Sequence, residues 1–157
     1  MISSKHLARN LQGILIGTAL CGIVVYIVVM PICLKEMFPQ SSIARTVWMG
    51  FLLLALLPCY GVLYQGWSIA ERIGQDRSFC PENAASLYAV SRLAALDTLF
   101  VFVVQTVFLA IGLSRASIAL IALVVVFVGI AFTVAAMSLA HLVKKASELQ
   151  EESDATV

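Results

Sequence analysis

Residues 117–143 read SIALIALVVVFVGIAFTVAAMSLAHLV, a stretch that contains no Asp, Glu, Lys or Arg. A helix needs about 20 mostly apolar residues to cross the hydrocarbon core of a bilayer. Three further stretches of similar length and mostly apolar composition precede it, at Leu11–Leu34, Thr46–Ile69 and Leu93–Leu113. The sequence therefore predicts four membrane-spanning helices joined by short polar segments.

The composition indicates a chain that is almost entirely membrane domain. Of its 157 residues, 61% are hydrophobic and 12% are charged, and the mean hydropathy is +0.99. Soluble domains carry about 25% charged residues. The net charge of +1 gives no electrostatic basis for direct binding of nucleic acid. We expect one all-α domain over residues 1–157, an integral membrane four-helix bundle with a short helical tail at 144–157.

The first apolar stretch follows a basic segment with Lys5 and Arg9, as the core of a signal peptide would. Its apolar run is longer than is typical of a signal peptide. The residues near its end, 29–33, lack the small-x-small pattern of a cleavage site. We interpret this stretch as an uncleaved membrane anchor.

Basic residues predict how the chain is oriented, because cytoplasmic loops carry an excess of Lys and Arg. With the N-terminus in the cytoplasm, the larger group of basic residues lies inside and the smaller group outside. The inside group is Lys5, Arg9, Arg72, Arg77, Arg92, Lys144 and Lys145, and the outside group is Lys35, Arg45 and Arg115. We therefore expect a multi-pass plasma (inner) membrane protein with both termini in the cytoplasm.

One acidic residue, Asp97, lies well inside an apolar stretch. A carboxylate at the bilayer centre costs about 2.5–3.5 kcal/mol on insertion scales, so a polar partner is expected. Counted from the inner membrane surface, the candidates at the same depth are Arg9, Tyr64, Gln65 and His141. Three interpretations are open: a structural clamp between helices, a proton or ligand site, or a carboxylate that reaches interfacial water.

Two features concern helix packing. Gly13, Gly17 and Cys21 recur at four-residue spacing, which lets helix backbones approach closely. Such a stripe fits either packing within one chain or a homodimer interface. Pro58 lies near the middle of the second span, where the missing N–H predicts a kink.

The sequence contains no pattern typical of catalysis. There is no nucleophile–base pair, phosphate-binding loop or zinc-ligand spacing, and the two histidines are His6 and His141. The four cysteines follow no metal-binding spacing, and we interpret them as free thiols. We predict no catalytic residues, no metal and no cofactor.

Local signals place the start of the third helix and the end of the fourth. Ser78 or Cys80 stands at the cap position, and Pro81 and Glu82 suit the first turn of a helix that begins before the membrane. At the other end, Lys144 and Glu148 are spaced to pair on one face, so the helix should continue to about Glu151. The acidic residues of this tail form either a solvated face or a docking surface for a basic partner: Glu148, Glu151, Glu152 and Asp154.

Two motifs together resemble a known family. They are Phe79-Cys80-Pro81-Glu82-Asn83, with Leu87 following, and the C-terminal stretch KASELQEESDATV at 145–157. With four spans and this length, the chain is similar over essentially its full length to the bacterial membrane family catalogued as domain of unknown function 2975 (DUF2975). The chain departs from the family pattern at Cys80, where Ser or Thr is usual, and at Ser153 and Ala155, where Asn and Leu are usual.

The resemblance implies a bacterial inner-membrane protein, and members of that family are often encoded beside a small helix-turn-helix regulator. Our first hypothesis is a non-enzymatic protein whose inner loop and tail bind such a DNA-binding regulator in the cytoplasm. The residues concerned are Glu82, Asn83, Glu148, Glu151, Glu152 and Asp154. The alternatives are a small oligomeric transporter or channel component, which rests on Pro58, Asp97 and His141, and a structural or stress-related membrane protein.

Overall fold

Helices account for nearly all of residues 4–155, the part of the chain that the computed structural model describes. What we call the first helix consists of α1, a π-helical turn and α2. The elements are α1 (Ser4–Val24), the π-helical turn (Val25–Val29), α2 (Met30–Met37), α3 (Ser42–Gly74), α4 (Pro81–Ala110) and α5 (Ala116–Ala155). Residues 4–155 include no strand, and four of their helices are long and apolar enough to cross a membrane. The predicted all-α class with four spans is confirmed.

Each helix packs against its neighbours in the chain, and the most extensive contact joins α4 to α5. The first helix lies along α3, α3 lies along α4, and α4 lies along α5. Because successive helices are antiparallel, the start of α1 and the end of α5 lie at the same end of the molecule, which we call the termini end. The connections at 38–41 and 111–115 lie at the opposite end, the hairpin end.

The four helices form an open row, whereas we expected a four-helix bundle. Within residues 4–155, the extensive contacts of α5 are all with α4, and those of the first helix are with α3. In lipid, an apolar helix face gains nothing by being hidden from its surroundings, so no hydrophobic force closes the row. Large side chains on α5, such as Leu120, Val124 and Phe127, are accordingly exposed on the surface.

Helix α4 begins at Pro81, as the sequence predicts, with Glu82 in its first turn. The cap differs from the expectation, since Cys80 occupies the N-cap position but its side chain makes no capping hydrogen bond. Helix α4 ends at Ala110, three residues before the predicted end of the third span. Gly112 adopts a φ of 73° there, which favours glycine, and the N–H of Leu113 donates to the Phe108 carbonyl over 2.8 Å.

Close approach of backbones holds the helix pairs together. A Cβ added to Gly129 of α5 would overlap the Thr98 hydroxyl of α4, so these two helices meet where only glycine fits. At the termini end, a Cβ on Gly74 would lie 3.2 Å from the Cβ of Ala8, and Ala70 is fully buried nearby on α3. Small residues let membrane helices gain van der Waals contact that larger side chains would prevent.

The hairpin end is filled by aromatic rings. Trp48 is buried, and its ring centroid lies 5.0 Å from that of Phe108 and 5.8 Å from that of Phe51, both edge-on. The Trp48 indole N–H donates to the Leu113 carbonyl over 3.1 Å, which joins the start of α3 to the connection before α5. Leu34 of α2 completes this core cluster. The hairpin end is thus fixed by ring packing together with the long-range hydrogen bond from Trp48.

Candidate functional site

At the termini end, Asn83 joins the connection before α4 to helix α3. Its side-chain amide donates to the carbonyls of Arg77 and Ser78 over 3.2 and 3.0 Å. Its Oδ1 accepts a hydrogen bond of 3.2 Å from the Arg72 guanidinium, which also donates to the Ser86 hydroxyl over 2.9 Å. Asn83 is only 2% exposed, so these bonds satisfy a polar side chain that water does not reach.

This burial separates two residues that the sequence grouped as partner-binding. Asn83 cannot contact a partner, because the Arg72 side chain and the backbone of residues 77–78 already surround it. Glu82 is exposed, and its carboxylate lies 3.4 Å from the Arg77 guanidinium. The amide of Asn83 fits a structural position because it offers both donors and an acceptor. Glu82 therefore remains on the candidate surface and Asn83 does not.

Helix α5 extends beyond the start of α4. Thr98 and Gly129 mark one level at which the antiparallel helices touch, and Cys80 and Ser147 each lie eighteen residues from that level. Both residues are buried, as expected where the start of α4 covers α5. The part of α5 that follows Ser147 therefore projects past the start of α4.

The projecting part of α5 is an acidic helical surface. Glu148, Glu151 and Glu152 are all exposed, and Leu149 among them is 59% exposed. Lys144 and Glu148 form the predicted pair at 3.9 Å. The helix continues through Asp154, whose side chain lies outside the described part. We call Glu82 together with residues 148–153 the acidic surface.

The structure does not gather the predicted intramembrane cluster around Asp97. One carboxylate oxygen of Asp97 accepts a long, weak hydrogen bond of 3.8 Å from the Cys59 thiol of α3. The other oxygen is buried and has no hydrogen-bond partner within residues 4–155. Neither Gln65, Tyr64 nor His141 contributes to this site, and Cys59 was not expected in it.

Asp97 is separated from the other residues of the predicted cluster because the helices extend different distances beyond the membrane. Helix α4 starts at Pro81, sixteen residues before Asp97, so Asp97 lies near the middle of the helix. His141 is twelve residues beyond the Gly129–Thr98 contact, which at 1.5 Å per residue is about 18 Å further along α5. It is exposed beside Lys144, Lys145 and Glu148. Tyr64 is 71% exposed, and Gln65 is partly buried.

A crevice extends from Asp97 toward the hairpin end, and we call it the Asp97 crevice. Its volume is about 540 Å³, and residues from α2, α3, α4 and α5 line it. Apolar side chains such as Leu34, Phe51 and Val125 make up most of its wall. Gln105 lines it as well, and its side-chain amide donates to the Ser114 hydroxyl over 2.6 Å. The crevice thus combines an apolar wall with a single carboxylate.

The residues that the sequence assigned to helix packing lie in two different environments. Gly13, Gly17 and Cys21 are exposed on the first helix, and no atom would lie within 4 Å of a Cβ added to either glycine. These residues therefore do not pack within the chain, which removes one of the two interpretations of the stripe. Pro58 lies inside α3, which continues as one helix on both sides of it. Cys59 follows it directly and faces Asp97.

Several positioning residues were missed from the sequence. Arg72 and Ser86 complete the Asn83 network, and Trp48 and Gln105 hold the hairpin end. Ser86 and Gln105 gave a weak signal, because each is a polar residue on an otherwise apolar helix. The role of Arg72 depends on a contact between two helices, so no local pattern could reveal it.

Four long apolar helices with lipid-exposed faces define the class of the chain as a multi-span integral membrane protein. Within that class, the chain matches the family described as "Protein of unknown function (DUF2975)" over residues 32–157, and it belongs to that family. The match includes all of α3, α4 and α5. The chain is also 25% identical over 124 residues to the uncharacterized membrane protein YoaS of Bacillus subtilis (strain 168), covering 78% of each chain. No solved structure matches it.

Proposed function

We propose that the protein is a non-enzymatic inner-membrane protein that holds a cytoplasmic partner at its termini end. The single observation that carries this proposal is the extension of α5 past α4 as an exposed acidic helix. A helix that only crossed the bilayer would not need these residues. The excess of basic residues around the termini end supports a cytoplasmic position for it, since Lys and Arg favour that side.

The chemistry of the acidic surface indicates the kind of partner. Three exposed carboxylates and the exposed Leu149 share this short helical segment, and Glu152 lies on the same face as Leu149, so a complementary surface would be basic with an apolar contact. DNA-binding proteins carry basic surfaces of this kind. We infer that the partner is a small helix-turn-helix regulator, as the family resemblance suggested, and that binding at the membrane keeps it from DNA.

The Asn83 network would give this surface a fixed position. Arg72, Asn83 and Ser86 connect α3 to the start of α4, next to the exposed Glu82. Ser147 is buried where α5 leaves α4, so the extension starts from a packed position. A rigid base lowers the entropy that is lost when the partner binds.

The test is co-purification in a gentle detergent from the native bacterium, followed by reconstitution with the identified partner. Three forms are compared: the full chain, a chain truncated after Ser147, and the variant Glu148→Gln/Glu151→Gln/Glu152→Gln. We expect a stoichiometric DNA-binding protein with the full chain and its loss with both changes. Truncation after Ser147 keeps that buried residue in place, so folding should be preserved.

Glu36→Gln at the hairpin end is the matched control, since it removes a negative charge far from the acidic surface. It should leave the partner bound. A full chain that purifies without a soluble partner, or a partner that stays bound after truncation, would contradict the proposal.

The transporter alternative makes a different demand on the structure. A row of four helices is not a ring, so a conducting path would require several copies of the chain. Flux through proteoliposomes that depends on Asp97 would favour this alternative. If neither flux nor a partner is found, the structural or stress-related role is the remaining candidate.

A further inference from the structure

The Asp97 crevice has the size and lining of a small-molecule site. Sites for small molecules measure about 300–1,000 Å³ and combine apolar walls with a few polar groups. This crevice, at about 540 Å³, falls within that range. All four spans contribute to its wall, so it is a feature of the assembled chain. Representative residues are Leu34, Phe51, Cys59, Asp97, Gln105 and Val125.

Asp97 is the one charged side chain among the described residues that line the crevice. Among the residues that the structure describes, its one side-chain hydrogen bond comes from a thiol, which is a weak donor, at 3.8 Å. Its second carboxylate oxygen is buried, and no described residue forms a hydrogen bond with it. Buried polar atoms nearly always have a partner, and a buried charge without one is costly. No Lys, Arg or His in this lining supplies the missing positive charge.

We propose that the crevice binds a lipophilic cation, a molecule with an apolar body and one positive group. The body would occupy the apolar wall, and the positive group would lie next to Asp97. An anion would be repelled by the carboxylate, and a hydrocarbon chain alone would leave it unpaired. The rings of Trp48 and Phe51 add apolar surface for the body of the ligand at the far end of the crevice. This inference stands apart from the proposed function, since it concerns the hairpin half of the molecule.

The open row of helices gives the ligand a route from the bilayer. Within residues 4–155, no extensive contact joins the first helix to α5, although both line the crevice. A lipophilic cation concentrates in membranes because of its apolar body. It can therefore reach Asp97 sideways between these helices, without crossing the termini end.

The test uses tritiated tetraphenylphosphonium as the probe and the purified full chain in detergent and in nanodiscs. We expect saturable binding of one probe per chain. Asp97→Asn should weaken the affinity about tenfold or more, because it removes the charge and keeps the shape. Asp97→Glu should retain most of the binding. Glu36→Gln, the matched control outside the crevice, should bind as the original chain does.

A second variant protects the test if Asp97→Asn fails to fold. Ala122→Phe places a ring in the crevice without changing any charge, and it should abolish binding. Folding of each variant is checked by circular dichroism and melting temperature.

Two results would overturn the proposal. One is binding that is not saturable, or that Asp97→Asn and Ala122→Phe leave within about twofold of the original. The other is a phospholipid that native mass spectrometry finds in the crevice and that the probe does not displace. Loss of the partner at the termini end would have no bearing on either result, so the two proposals fail independently.

Discussion

The two ends of the molecule are built from different side chains. At the termini end, alanines, serines and one asparagine bring helices close, and Ala70 and Ala140 are completely buried there. At the hairpin end, Trp48, Phe51 and Phe108 fill the space between helices with rings. Helix association in lipid depends on close packing and hydrogen bonds. Small residues give continuous contact, whereas rings hold backbones apart and leave space between them.

That difference has a visible result in the structure. The Asp97 crevice opens in the half that contains the rings, and the buried hydrogen-bond network around Asn83 lies in the half that contains the small residues. One end can therefore be rigid enough to present a surface, while the other has room for a ligand. The following substitutions test how far the two ends depend on these different contacts.

The largest loss of stability is expected from Trp48→Ala at the hairpin end. It removes a ring that contacts Phe51 and Phe108 and a hydrogen bond to the Leu113 carbonyl. Truncating a buried aromatic residue costs about 3–5 kcal/mol. The loss of stability is measured by unfolding the protein in detergent. The unfolding is monitored by the circular dichroism of the helices, a signal that does not depend on tryptophan. Trp67→Ala at the other end is the control, since Trp67 is 39% exposed, and an equal loss for both would refute the role of the ring cluster.

Gly129→Leu tests the contact between α4 and α5 that lies between the two ends. The new side chain would overlap the Thr98 hydroxyl, and overpacking costs about 1–3 kcal/mol or more. Gly50→Leu is the matched control, because an added Cβ there meets nothing within 4 Å. Melting temperatures of the two variants should differ clearly. Equal values would mean that α5 is not held at this contact.

Asn83→Ala tests the hydrogen bonds of the termini end. It leaves the carbonyls of Arg77 and Ser78 and part of the Arg72 guanidinium without partners, at a cost of about 1–3 kcal/mol. Proteolysis of the connection at 75–80 should also become faster, and this reports on local opening. Asn10→Ala is the control, since Asn10 is exposed. If the two variants behave alike, the network does not stabilise this end.

The smallest loss of stability is expected at Gln105 and Ser114, a buried hydrogen-bonded pair at the hairpin end. Ser114→Ala alone leaves the Gln105 amide unpaired and should cost about 1 kcal/mol. The double variant Gln105→Leu/Ser114→Ala should recover most of that loss, because neither polar group then remains. A thermodynamic cycle on the four proteins checks this. A double variant that loses the sum of both single effects would show that the pair does not interact.

The sequence predicts well what depends on neighbouring residues. The four spans, the start of α4 at Pro81 and the helical continuation past Lys144 follow from length, a proline and charge spacing. Each of these signals acts within a few turns of helix. They also sufficed to indicate the family of the chain, through the motifs at 79–83 and 145–157.

The arrangement of the helices could not be predicted in the same way. The depth of Asp97 was counted from the inner membrane surface, but α4 and α5 extend different distances beyond it, so His141 lies elsewhere. The residues next to Asn83 in the sequence do not distinguish it from a surface residue. Its structural role is visible only from the hydrogen bond that Arg72 donates from another helix. The open row could not be foreseen either, since apolar faces look alike whether they meet lipid or protein.

The order of packing along the chain also has a consequence for biosynthesis. From α3 onward, each helix contacts the segment made just before it: α3 packs on the first helix, α4 on α3, and α5 on α4. A nascent helix that leaves the translocon therefore meets a docking surface that is already inserted, although α4 gains its most extensive contact only when α5 follows. Contacts between consecutive elements also keep the loss of chain entropy small during assembly. Helix α5, connected to α4 by residues 111–115, is then the last helix to join the row.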